Sequence, residues 1–263
     1  TEETANNIGG ITMMQIYKNL IRNSYYHESE ITQENWVEVI APTAAERLKM
    51  NRQLGISNHF IAEALDPNTR PMIEKSAGIT YIIIHVPTVN REIEKNSDGI
   101  RYRTVPFGIV LTGSHLVTIC GVETPQLREN FIRNCQGLGA ERLIQNTLDL
   151  LHHTAQRYLK LMHTMEHEIA EAEEELSRSY RNSELYTLLY LNDGLLDMTI
   201  SLKQMLHLMR KINHEHHLEL IADGQELFDD TIIELEQAYS VAEINQLNAN
   251  NVMDAYGNII QNN

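Results

Sequence analysis

The hydrophobic positions of this chain follow two rhythms. Up to about residue 125 they fall in short runs closed by turn residues: MMQIYKNL at 13–20, NWVEVI at 35–40, TYIIIHVP at 80–87, VPFGIVL at 105–111 and SHLVTICGV at 114–122. Runs of that length and composition predict strands. Between them, Pro42 and Thr43 open a helix across APTAAERLKMNRQLGI that ends near Gly55, and SNHFIAEAL reads as a short capped helix before Asp66-Pro67. TGSH at 112–115 has the makings of a tight hairpin turn. From about 138 onward the spacing is helical. It is broken at SRSYRNSEL (177–185), where Asn182 or Ser183 can cap a helix beginning near Glu184, and more weakly at KINHEHH (211–217). Three long helices are expected, at 138–178, 183–213 and 218–263.

The last of these carries a stripe in steps of four and three, from Phe228, Ile232 and Leu235 through Tyr239, Ala242, Gln246, Ala249 and Met253 to Tyr256 and Ile260. This is a heptad pattern. At about 1.5 Å per residue such a helix runs on the order of 65–70 Å, more than a domain of this size is expected to cover. The stripe therefore predicts contact with other chains or a projecting stalk, with an intramolecular three-helix bundle as the alternative. Punctuation supports the division: all six prolines and eight of the thirteen glycines lie at or before position 125. The expected organisation is a mixed α and β region over 1–137, a long-helix hairpin over 138–217 and a final helix over 218–263.

Charge then narrows the partners. With 36 Asp and Glu against 21 Lys and Arg, the formal charge is −15, which disfavours a nucleic-acid backbone and favours cations. Cys120 and Cys135 form no C-x-x-C and read as thiols of a reducing compartment. No apolar run reaches the roughly 18 residues of a membrane span, so the chain as given is expected to be soluble. Opening on Thr1, it reads as a fragment with arbitrary ends. There is no P-loop, dinucleotide glycine motif or G-x-S-x-G, and no catalytic residue is assigned.

Read in order, several segments resemble the CorA-type magnesium channels: W-V-E-V-I-A-P-T at 36–43, L-G-I at 54–56, D-P-N-T-R-P-M-I-E at 66–74, E-H-E-I-A-E-A-E-E-E-L at 166–176, F-D-D-T-I at 228–232 and D-A-Y at 254–256. The resemblance implies an α+β fold, in which a mixed-sheet α/β/α N-terminal domain is followed by an acidic helical hairpin and a long stalk helix. It further implies a position at the cytoplasmic face of the cell membrane. The stalk would continue beyond VMDAYGNIIQNN into an absent membrane segment, the full-length protein being a pentamer around a pore. Tyr256-Gly257-Asn258 lacks the Met of the family's Gly-Met-Asn pore motif and is not counted as one.

The same resemblance implies a metal site shared between subunits. One carboxylate precedes the D-P-x-x-R-P turn, here Glu63, and faces the neighbouring stalk, here Glu226 with Asp229 and Asp230 close by. Glu63 follows Ala62, where the family usually has Asp after another acid. A second family site falls on His152, with Asp149 nearly one turn earlier. The implied ion is Mg²⁺, with Co²⁺, Ni²⁺ or Zn²⁺ as the other candidates; Mg²⁺ needs only one or two carboxylates because it keeps much of its water.

Other features bear on cations. Asn248, Asn251, Asn258 and Asn262 share one helix face, suited to line a wet vestibule in a ring of stalks. The run Glu166, Glu168, Glu171, Glu173, Glu174 and Glu175 contains no Lys or Arg and reads as a solvated, cation-steering surface. His163 and His167 at i, i+4, with the cluster His214, His216 and His217, keep a zinc-transporting relative in view. The reading from another class is a soluble acidic coiled-coil scaffold.

Overall fold

The computed structural model describes residues 14–93, 99–179 and 181–261. Seven strands form one sheet: β1 (Met14–Ile21), β2 (Ser24–Glu28), β3 (Asn35–Ile40), β4 (Met72–Ser76), β5 (Ile79–Val89), β6 (Tyr102–Leu111) and β7 (His115–Cys120). Their order is β2-β1-β3-β7-β6-β5-β4, and only β3 and β7 pair in parallel. Six helices accompany them: α1 (Ala44–Leu54), α2 (Asn58–Leu65), α3 (Pro125–Asn134), α4 (Leu143–Ser179), α5 (Asn182–His214) and α6 (Ala222–Gln261).

The expected strands are all present, and NWVEVI is β3 to the residue. The pleat divides their side chains between two cores. Val37, Val39, Ile83, Val110 and Val117 face α1 and α2 on one side, while Trp36, Ile82, Ile84, Ile109 and Leu116 face the remaining helices. α1 starts where its sequence says it should: the Thr43 hydroxyl accepts from Glu46 N (3.2 Å) and Glu46 Oε2 accepts from Thr43 N (2.8 Å), a reciprocal cap. α2 can lie close to the sheet because β6 offers Gly108, where a Cβ would come within 3.0 Å of Ala64 Cβ.

α4, α5 and α6 form an intramolecular bundle, the alternative raised by the sequence. The long α4–α5 hairpin runs beside α6 and covers one face of it as far as Val252, while Asp254, Ala255, Asn258 and Ile259 beyond it are exposed. α4 and α6 are parallel: His152 Nδ1 meets Thr231 Oγ1 at 3.1 Å, and ten residues further along α4 the buried Asn245 donates to the Met162 carbonyl at 2.8 Å. Phe228, Leu235, Ala242 and Ala249 of the stripe are fully buried. Thr231, Ala238 and Asn245 are buried between them and Val252 just beyond, with Ile232, Tyr239 and Met253 only partly covered. α6 sits in the groove between two helices, so its buried face is rotated towards α4 and α5. The α5 start also differs: Arg181 holds the cap position without a side-chain bond, and Ser183 Oγ donates to Glu184 Oε2 instead.

Candidate functional site

The two carboxylate positions expected to share an ion lie on opposite sides of the sheet. Glu63, in the last turn of α2, belongs to the layer formed with α1, and its Oε1 lies 3.4 Å from His59 Nε2. Glu226, Asp229 and Asp230 are exposed near the start of α6, in the other layer. Asp229 Oδ1 accepts from Gln225 Nε2 at 2.8 Å. Among the described residues no Lys or Arg pairs with any of these four acids. Their charge is thus available to a cation, but Glu63 and the α6 acids do not form one site within a single chain.

Asp149 and His152 are brought together. Both line a polar cleft of about 460 Å³ between α3, α4 and the start of α6, with Asp223 on its α6 side. Burial raises the Asp149 pKa above the ordinary carboxylate value, while the Gln145 amide, which donates to Oδ1 at 3.1 Å, and the nearby His152 and Arg142 oppose the rise. The remaining walls are largely amides, among them Asn130, Asn146 and Gln156. Such a lining suits a cation that keeps its hydration shell. It does not suit direct ligation, since no three His, Cys, Asp or Glu among the described residues are grouped closely enough to hold a bare metal ion. Asp223 was not singled out in the sequence, because 74 residues separate it from Asp149 and only the parallel packing of α4 and α6 makes them neighbours.

Other predicted residues fall into place individually. Asn248, Asn251 and Asn258 are exposed on α6, with Asn258 Nδ2 donating to the Asp254 carbonyl at 2.9 Å. Asn262 lies outside the described residues. In the acidic run, Glu168 departs from the expected solvated surface: it is buried and accepts from Tyr102 Oη (2.7 Å) and Arg101 Nη1 (3.3 Å). Glu174 and Glu175 bond to Arg178, one turn on. His163 pairs with Glu166 and His217 with Glu215. No described helix is long and apolar enough to cross a membrane.

Comparison with known proteins adds the wider context. The family model described as CorA-like Mg²⁺ transporter protein matches residues 32–263. A search of curated proteins returned no match. Among solved structures, the complete CorA magnesium transporter of Methanocaldococcus jannaschii superposes with a TM-score of 0.76 at 18% identity, covering 96% of this chain and 80% of that one. The soluble domain of the same protein gives 0.78 at 19% identity, with 93% and 96% covered. The ZntB cytoplasmic domain of Vibrio parahaemolyticus gives 0.67 at 10% identity, with 96% and 100% covered.

Proposed function

The chain belongs to the CorA-like Mg²⁺ transporter family, and from that premise we propose that it is the cation-sensing and gating part of a pentameric divalent-cation channel, on the cytoplasmic face of the membrane. In this reading residues 1–137 form the body, 138–217 the acidic hairpin and 218–263 the stalk. The observation that carries the reading is the disposition of the acids. Glu63 and the group Glu226, Asp229 and Asp230 have no Lys or Arg partner among the described residues and sit on opposite layers. An ion that bridges them has to join two copies of the chain.

The mechanism is electrostatic. Carboxylates of neighbouring subunits repel when brought close, and the cost grows as water is excluded. A hydrated Mg²⁺ between them removes the repulsion and favours the closed ring; its loss loosens the subunits. The shift is limited by the ion's preference for the closed arrangement. The cleft with Asp149, His152 and Asp223 would hold a second hydrated ion. Asn248, Asn251 and Asn258 would line the vestibule between stalks.

The test is thermal denaturation and limited proteolysis with and without millimolar Mg²⁺, on the parent chain and on Glu63→Ala and Glu226→Ala. Protection by Mg²⁺ that shrinks in both variants is expected. Equal protection in all three chains would remove these residues from the site. The likeness to the ZntB domain keeps a zinc-transporting function as the second reading; uptake of Mg²⁺ against Zn²⁺ by the full-length protein separates the two.

A further inference from the structure

A cleft of about 420 Å³ opens where β5 ends and α3 begins, with α4 as its back wall. β5 and β7 point the same way in the sheet, so the cleft lies outside the carboxyl ends of strands, where open sheets with helical layers commonly receive ligands. Several of its polar groups lack partners among the described residues. α3 starts at Pro125, which has no N–H, and the amides of Gln126 and Leu127 find no acceptor among the described residues. Thr124 holds the cap position but makes no capping bond; it is 7% exposed, lines the cleft, and its hydroxyl has no partner among the described residues.

Two arginines complete the arrangement. Arg157 of α4 is partly buried in the wall, pairs with no described carboxylate, and has Arg91 close enough for mutual repulsion. Unpaired guanidiniums held near each other at a helix N-terminus with free amides form a donor set for an anion. The acids of the lining do not cancel it: Glu123 is turned to Arg128 Nη2 at 3.8 Å, and Glu92 is exposed. His153 adds a buried Nδ1 without a partner.

We propose that this cleft binds a phosphomonoester. The phosphate is held by the Thr124 hydroxyl, the Gln126 and Leu127 amides and the guanidiniums of Arg157 and Arg91, with the organic remainder against Val86 and Pro87. Donors converging from a helix end, a hydroxyl and two arginines match a tetrahedral dianion better than a planar carboxylate. The volume lies within the range of pockets that enclose a small organic molecule as well as its charged group. In a protein of formal charge −15, saturable anion binding is not expected from the surface at large.

The test is isothermal titration of this chain with inorganic phosphate and with AMP, at neutral pH and fixed ionic strength, repeated on Arg157→Gln and on Arg91→Gln. Arg91 is exposed, so its replacement leaves the fold intact even if the Arg157 variant does not fold. One-site binding is expected, with AMP at least about tenfold tighter than phosphate and about tenfold weaker in each variant, as loss of a charged hydrogen-bond partner implies. Absence of saturable binding by either anion, or affinity unchanged by Arg91→Gln, overturns the site. Equal affinity for phosphate and AMP overturns the monoester assignment.

Discussion

His85, on β5, ties together two other parts of the chain. Its Nε2 lies 2.7 Å from the Thr69 carbonyl, in the turn that follows α2, and its Nδ1 lies 2.8 Å from Ser201 Oγ on α5. A carbonyl only accepts, so Nε2 carries the proton and Nδ1 accepts from Ser201. The neutral ring is fully used. Burial holds the His85 pKa below the ordinary value, against the pull of the Thr69 carbonyl and Asp197. The unfolded chain therefore takes up this proton at higher pH than the folded one, and stability is lost as pH falls below about 6.5. His153 adds to the same slope, and Glu38, raised by burial, acts oppositely at lower pH. Urea denaturation across pH is expected to show His85→Gln with a slope flatter by up to one proton, about 1.4 kcal/mol per pH unit. An unchanged slope would place the titrating group elsewhere.

At the scale of elements, two glycines on long helices should respond in opposite ways to the same substitution. Glycine to alanine in a helix interior gains about 0.8–1 kcal/mol from propensity alone. At Gly257 nothing lies within 4 Å of the added Cβ, so Gly257→Ala should stabilise by roughly that amount. At Gly194 the Cβ would stand 3.0 Å from both the Cβ and the backbone oxygen of Tyr102, where α5 crosses β6. A backbone atom in a paired strand has little room to retreat, and overpacking costs about 1–3 kcal/mol. Gly194→Ala is thus expected to destabilise on balance, as measured by the denaturation midpoint. The same contrast between covered and open surfaces explains which elements were legible. β3 is buried along its whole length, and its apolar residues Trp36, Val37, Val39 and Ile40 announced it in spite of Glu38 between them. β2 (SYYHE) and β4 (MIEKS) are edge strands with largely exposed side chains, so they lack the alternation that marks a strand. α3 was overlooked because Pro125 read as a boundary, although proline at the first helical position is a start signal.

For the whole molecule, one apolar core runs from the sheet face through α4 and α5 to Val252 of α6. Such continuity predicts a single cooperative unfolding transition. Trp36, the sole tryptophan, is stacked on Tyr17 in the sheet, whereas far-UV circular dichroism reports mainly the long helices. The two signals should fall together in denaturant; separated midpoints would mean that the bundle unfolds apart from the body. The candidate site was only partly readable at this scale. Glu63, Glu226 and His152 came from family resemblance, Asp149 was noted as the acid nearly one turn before His152, and Asp223 depended on the register between distant segments. That register is fixed by the Asn245 amide, whose bond to the Met162 carbonyl is enclosed by apolar neighbours. Sliding α6 one turn along α4 would leave the buried Asn245 amide bare, at a cost of about 1–3 kcal/mol, while the Met162 carbonyl keeps its bond within α4. The bundle consequently has one preferred axial setting: a pull on the end of α6 is borne by α4 as well, and travels to the body as a tilt of the whole column instead of a slip of one rod past another.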